Sequence, residues 1–388
     1  MYNKFVAASL IVITTTLVGF YPVHQKPANA NTTIALTDEK PRIQIAILLD
    51  TSSSMSGLID QTRNQLWQIV NEFSKAKRNG VSPALEVAVY EYGNNQLSAE
   101  SGYVRQVSKL TGELDQVSEA LFSLTTNGGD EYCGAVINTA VMELNWSASK
   151  NDIKSIFIAG NEPFSQGPIA FSKAITAAKS KGITVNTIHA GNNQTGIQSG
   201  WKQGALIAGG EYLSIDHNHR VAHIAAPQDK KIEELNTKLN QTYVPYGKEG
   251  SKKMQRQATQ DQKSKQISSG LMAKRAHSKA TSLYDNSSWD LVDALGNGKV
   301  KIESLEEAAL PASIQKMDMD ERKDYIETKA KERKEIQLKI QALSKKRDQF
   351  VNDKKDEIKA PSVHTINDAV SASIRKQGSG KNYTFGPK

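Results

Sequence analysis

Three oxygen-bearing side chains, Asp50, Ser52 and Ser54, stand at every second position within IQIAILLDTSSSMSG, residues 43–57. Alternate residues of an extended segment point the same way, so one carboxylate and two hydroxyls converge just beyond the run that precedes them. Hard oxygens of this kind suit Mg²⁺, Mn²⁺ or Ca²⁺ better than zinc. A second set, His217, His219 and His223 in DHNHRVAH, has spacing that can hold a transition metal. Histidines that only hydrogen-bond within a loop look the same, and nothing fixes Asp216 as a fourth ligand. Glu131, Glu162 and His189 are the groups that could serve as a base beside a bound cation. No nucleophile–base pair accompanies them, so the chain is expected not to be an enzyme.

The elements that must position these groups are legible from periodicity. Ile43 to Leu49 is apolar except for Gln44, which is how a strand buried on both faces reads. Leu58 to Lys77 has a helical stripe of Leu58, Leu66, Ile69, Val70 and Phe73. Strands are predicted at 85–92, 102–110 (an edge strand), 154–159, 183–190 and 211–215. Between them, helices are predicted at 113–124, 133–144, 168–181 and 200–208, with a closing helix at 230–242. Strands alternating with helices over this length predict a doubly wound α/β domain with a mostly parallel sheet and helices on both faces. In such a sheet ligands bind beyond the carboxyl ends of the strands, where Asp50 falls. Trp67, Trp146, Trp201 and Trp289 are expected to be core or interface anchors. The lone cysteine, Cys133, permits no intrachain disulfide and is expected to be a small buried residue.

The D-x-S-x-S spacing directly after a buried strand resembles the metal-ion-dependent adhesion site of the von Willebrand factor A (VWA) domain, and the element order over 41–246 is similar to that family's. The resemblance implies a site drawn from three loops, with a threonine in the second and an aspartate in the third. Asp50, Ser52 and Ser54 match residue for residue. The second loop reads Gly128-Gly129-Asp130, with Asp130 where the threonine is expected. The third reads Ala159-Gly160-Asn161, so the aspartate is missing at Gly160 and Glu162 follows two positions on. Asp130 would restore the carboxylate lost at Gly160, and Asn161 or Glu162 would add another oxygen. The implied cofactor is Mg²⁺, or Mn²⁺ or Ca²⁺. The implied work is protein–protein interaction or adhesion, with weaker grip on acidic ligands because a second carboxylate already offsets the ion's charge. An apolar strand before Asp-Thr-Ser also resembles the aspartic-protease motif. There, however, Ser52 replaces the required glycine, no second copy exists, and the helices are wrong for an all-β enzyme.

The ends of the chain read differently. Lys4, the apolar run from Phe5 to Phe20, and Ala28-x-Ala30 predict a signal peptide over 1–30, and hence an exported, periplasmic or secreted protein. Its removal takes Lys4 and Lys26 and no acid, lowering the formal charge from +8 to +6. Residues 247–283 are read as a basic polar linker, since nine Lys or Arg over 246–282 face only Glu249 and Asp261. Residues 284–388 are read as a helical region with the pattern of a coiled coil or docking helix, its long charged stretch marked by Tyr325, Ile326, Ala330, Ile336, Ile340, Leu343 and Phe350. That arm is equally suited to folding back or to self-association. The absence of interleaved aromatics and the leader argue against nucleic acid. The expected partner is a protein of the cell envelope. The alternative is a metal-independent scaffold that holds anionic polymer or a membrane surface, or self-assembles, through the basic segment and charged helix.

Overall fold

The first apolar run forms β1 (Arg42–Asp50) and runs down the middle of the sheet. Its Ile43, Ile45, Ile47 and Leu49 enter one hydrophobic cluster, while Ala46 and Leu48 enter another on the opposite face. This alternation is why the strand had to be apolar throughout. The exception, Gln44, is satisfied: its amide nitrogen donates to Glu86 Oε2 (2.6 Å) and its oxygen accepts from Ser147 N (2.8 Å).

The computed structural model describes residues 40–215, 224–357 and 366–386. The predicted leader at 1–30 and the triplet His217, His219 and His223 lie outside the described residues, as does the side chain of Leu58. After β1 come α1 (Ser56–Phe73), β2 (Lys77–Arg78), β3 (Ala84–Tyr92), β4 (Val104–Thr111), α2 (Leu114–Ser123) and α3 (Cys133–Glu143). Then follow β5 (Ile153–Gly160), α4 (Phe171–Ser180), β6 (Thr184–Ala190), α5 (Asn193–Gln198), α6 (Trp201–Ile207) and β7 (Tyr212–Ile215). The sheet order is β4-β3-β1-β5-β6-β7. All pairings are parallel except β3 with the edge strand β4. The chain leaves β1 toward β3 on one side and returns as β5 on the other, so the topological switch point lies between β1 and β5. Each predicted strand is present within a residue or two; among the elements up to β7, α5 and the two-residue β2 were not anticipated.

Beyond the sheet stand α7 (Asp229–Asn240), α8 (Gly250–Ile267), α9 (Ser269–Lys279), α10 (Leu291–Gly296) and α11 (Ala312–Gln315). The chain closes with α12 (Met319–Glu357), α13 (Ile366–Ser379) and β8 (Tyr383–Thr384), which pairs with β2.

Residues 247–283 are not a linker. They form α8 and α9, and Leu271, Met272, Ala273 and Ala276 of α9 are buried in the same cluster as α1 and β1. Charge alone misled the reading, because the basic groups here are neutralised by partners distant in sequence. Arg275, fully buried, donates to Asp115 Oδ1 (2.7 Å) and Asp261 Oδ1 (2.6 Å), and stacks its guanidinium over Trp67. Lys253 and Arg256 reach Glu113 and Glu119 on or beside α2, and Lys265 reaches Glu233 on α7.

The C-terminal region folds back on the sheet domain, and residues 40–388 form one unit. Helix α12 packs on α7, α9 and α10, and α13 on α1, β5 and β6. Two of its charged residues are anchors, not solvent lacing. Arg333 donates to Asp290 and Asp293, and Arg347 Nε donates to Asp229 Oδ1 at 2.6 Å. Trp67, Trp201 and Trp289 are buried, Trp146 is half-buried, and Cys133 is a buried free thiol.

Candidate functional site

Asp50 ends β1 at the switch point, and its side chain is completely buried. The turn that follows is held from both sides, by Thr51 N donating to Tyr92 O (2.8 Å) and Asn127 N donating to Thr51 O (3.0 Å). Within that turn Ser52 N donates to Asp50 Oδ1 at 2.7 Å, and the Ser52 and Ser54 hydroxyls lie 3.4 Å apart. From the end of β5, Asn161 Nδ2 donates to Ser54 Oγ at 3.4 Å. Asp50, Ser52 and Ser54 are thus brought together by the turn, and Asn161, which the resemblance offered as a further oxygen, lies beside Ser54. Glu162 is close enough for its charge to be felt by Asp50.

Asp130 is not part of the group. It is exposed, and its Oδ2 accepts from the Tyr132 hydroxyl at 3.2 Å. Its neighbour Glu131 turns inward instead. A Cβ at Gly93 would sit 2.8 Å from Glu131 Cγ and 2.9 Å from Asp50 Oδ1, so the two acids face each other across that glycine. The register is set by Gly129, where any side chain would strike the backbone of Gly93 to Asn95 at 2.7–2.9 Å. With Gly129 pressed against that turn, an extended chain sends residue 130 to solvent and residue 131 to the interior. Glu131 was read as a possible base, but the one-residue shift that makes it the second carboxylate required the contact at Gly129.

The missing aspartate of the third loop has a steric reason. A Cβ on Gly160 would meet the Tyr92 hydroxyl at 2.5 Å and Asp50 Oδ2 at 3.0 Å. Tyr92 fills that space from β3, donating to Ala159 O at 3.0 Å, with the Cys133 thiol 3.7 Å behind it. No spacing rule in the sequence pointed to Tyr92, since it reads as one more strand aromatic. His189, at the end of β6, lies with Nε2 3.2 Å from Asn161 O and its ring against Trp201, so it buttresses the third loop.

The electrostatics of this edge are one-sided. Burial raises Asp50 to about 7, with Glu131 and Glu162 adding to the rise and the bonds from Ser52 opposing it. Burial likewise raises Glu131 to about 7, followed by the charge of Glu162. Among the described residues no basic side chain is a leading influence on either. Two buried oxygens of this site, Asp50 Oδ2 and Asn161 Oδ1, have no hydrogen-bond partner among the described residues. Such groups are rare in folded proteins and mark places where something else satisfies them. The donors are carboxylate, hydroxyl and amide oxygens, a set that fits a hard divalent ion. Asp50, Ser52, Ser54 and Glu131 would hold it, with Asn161 or Glu162 at its margin. An ion bound there supplies positive charge to a buried acidic pocket and an open position for an incoming oxygen ligand.

Residues 44–196 match the von Willebrand factor type A domain. No curated protein matches the chain. Solved structures with related folds include proximal thread matrix protein 1 from the mussel byssus with a zinc-occupied MIDAS motif (14% identity, TM-score 0.35). The alignment covers 45% of this chain and 42% of that one, so this chain spans less than half of the mussel protein. BatB from Bacteroides thetaiotaomicron is 15% identical, with a TM-score of 0.34, over 45% of this chain and 90% of that one. The pilus adhesin SpaC from Lactobacillus rhamnosus GG is 15% identical, with a TM-score of 0.33, over 46% and 28%. With the sheet order, the switch point and the D-x-S-x-S loop all in place, the chain carries a von Willebrand factor type A domain.

Proposed function

We propose that this protein is an exported, non-enzymatic binding module that engages a protein partner of the cell envelope through a divalent cation. The ion is Mg²⁺, with Mn²⁺ or Ca²⁺ as its equivalents, held by Asp50, Ser52, Ser54 and Glu131. The observation that carries this reading is the buried Asp50 Oδ2, without a hydrogen-bond partner among the described residues, beside a second inward carboxylate, with no basic side chain among the leading influences on either. Two direct carboxylates leave the bound ion less charge for a partner's Asp or Glu than one would. A partner that offers a neutral oxygen is therefore accommodated as readily as an acidic one. Export rests on the leader at 1–30, and no helix among the described residues is long and apolar enough to cross a membrane.

Calorimetric titration of the chain from residue 31 onward with Mg²⁺ and Mn²⁺ tests the metal. Saturable heat that Asp50→Ala abolishes is expected; no heat from the unaltered protein overturns the proposal. The scaffold alternative has lost its main support, since the basic segment is packed and largely ion-paired rather than a free strip.

A further inference from the structure

With the basic segment neutralised, the chain's positive surplus is displayed elsewhere, and one concentration of it lines a cavity. This cavity, of about 840 Å³, lies at the opposite end of the sheet from Asp50, where β5 and β6 begin. Its walls come from the loop after α3, the end of α4 and the C-terminal segment after α13. Lys150, Lys154, Lys179, Lys181 and Lys381 line it, and no acidic side chain does. None of the five is in an ion pair among the described residues.

Three of these lysines are positioned by backbone carbonyls. Lys154, itself buried, donates to Ser147 O and Lys181 O, both at 2.8 Å. Lys181 donates to Val141 O at 2.8 Å, and Lys381 to Asp152 O at 2.6 Å. Each ammonium carries three donors, so all three retain N–H groups for a ligand. Lys150 and Lys179 are exposed at the rim and hold no hydrogen-bond partner among the described residues. The nearest carboxylate, Asp152, is already taken by Arg78, Ser147 and the Arg42 amide. Lys381 is lowered by burial and by the charge of Lys154, with Asp152 opposing, so the lysines here repel one another. One wall is Trp146, fixed by its indole N–H donating to Ala140 O at 3.0 Å.

We propose that this cavity is a binding site for a small oligophosphate, a phosphate ester or chain carrying two or more phosphates. The volume falls within the range of small-ligand sites, roughly 300–1,000 Å³. Several convergent point charges without a guanidinium fork suit tetrahedral phosphate better than a planar carboxylate. Lys381 comes from the last described turn of the chain, so a bound phosphate ties the C-terminal segment to the sheet domain. The site is independent of the metal proposed at the other edge.

The test is isothermal titration with sodium tripolyphosphate, without divalent ions, at an ionic strength of about 150 mM to screen diffuse attraction. Saturable one-to-one binding is expected. The double variant Lys150→Glu with Lys179→Glu should weaken it by at least about tenfold, because two nearby attractive charges become repulsive. Both side chains are exposed and unbonded, and circular dichroism checks that the variant folds. Lys334→Glu with Lys346→Glu makes the same charge change on exposed α12 positions and should leave affinity within about twofold. Asp50→Ala should leave it unchanged. Absence of saturable binding, or equal losses in the two double variants, overturns the site. So does binding to phosphatidylglycerol vesicles in place of tripolyphosphate, which would make the patch a membrane contact.

Discussion

Two groups of buried carboxylates in this molecule have opposite surroundings. Between α2, α8 and α9, Asp261 accepts from Arg275 Nε (2.6 Å), Lys279 Nζ (3.0 Å), Asn236 Nδ2 (2.8 Å) and Asn240 Nδ2 (2.7 Å). Its neighbour Asp115 accepts from Arg275 and from the Tyr284 hydroxyl. Burial would raise Asp261, but the charges of Lys279 and Arg275 outweigh it and hold the carboxyl below its usual range. At the sheet edge, Asp50 and Glu131 face each other beside Glu162 with hydroxyl and amide groups around them, and burial raises both. The same chain that saturates one pair of acids leaves the other uncompensated. The first arrangement is what a fold needs to bury charge; the second is what a cation ligand set needs before its ion arrives.

The sharpest way to break this contrast is to remove the compensation. Among the described residues, Arg275→Ala takes the only ion-pair partner from Asp115 and one of two from Asp261, and is expected to cost about 3–5 kcal/mol, enough to threaten folding. Urea unfolding followed by circular dichroism measures it; a loss below about 1 kcal/mol would mean that the cluster is worth no more than a surface pair. The same cluster sets an acid limit. Asp261 is lowered in the folded chain, so the stability it contributes is complete above the unfolded value of about 3.9. That contribution is lost as the pH falls through the lower folded value. In Arg275→Ala this acid-linked loss should shrink, because one of the two charges that lower Asp261 has gone.

Asp50 should behave in the opposite sense. With no ion present, Asp50→Asn removes an uncompensated buried charge, and thermal melts should show little loss or a small gain in stability. With Mg²⁺ or Mn²⁺ at about a hundred times its dissociation constant, the unaltered protein should gain about 2.7 kcal/mol and Asp50→Asn should not. Destabilisation by Asp50→Asn of the size expected for Arg275→Ala, in metal-free buffer, would make the two clusters alike and erase the distinction. Restoring the family's aspartate is a third probe. Gly160→Asp forces a side chain into the space of the Tyr92 hydroxyl and should cost about 1–3 kcal/mol. Adding Tyr92→Phe should recover part of that loss by vacating the clash.

The sheet was legible because its signal is local. β1, β3 and β5 are mostly apolar runs between polar turns, as strands buried on both faces tend to be, and β6 keeps Val185, Ile188 and Ala190 among its buried polar residues. Asp50, Ser52 and Ser54 were legible for the same reason, since one extended turn fixes their common direction. The basic segment was misread because its compensation is not local: Asp115 lies far from Arg275 in sequence, and Glu113, Glu119 and Glu233 are equally remote from their lysines and arginine. Composition counts charges within a window, whereas the fold pairs them across helices. The long helix was half-read in this way, with Ile326 and Ile340 on the expected stripe but Arg333 and Arg347 hidden among the charges. Helix α5 was missed for a different reason. NQTGIQ has no apolar stripe and is started by Asn192, whose side chain accepts from Gln194 N and Thr195 N.

The finest test concerns one step of register in the second loop. The resemblance places Asp130 at the site, whereas packing at Gly129 turns Asp130 outward and Glu131 inward. If the inward residue is the ligand, Glu131→Gln should weaken Mn²⁺ by about tenfold, roughly 1.4 kcal/mol, since it removes one of two carboxylates while keeping the shape. Asp130→Asn, which alters an exposed group bonded to Tyr132, should change the affinity by less than about twofold. Calorimetry on the two variants side by side reads the difference without any knowledge of the partner. A reversed ranking would mean that the loop rotates when the ion binds, with the backbone around Gly128 and Gly129 supplying the turn. Equal, small effects would leave Asp50 as the sole carboxylate ligand, and the bound ion would then have charge to spare for an acidic partner.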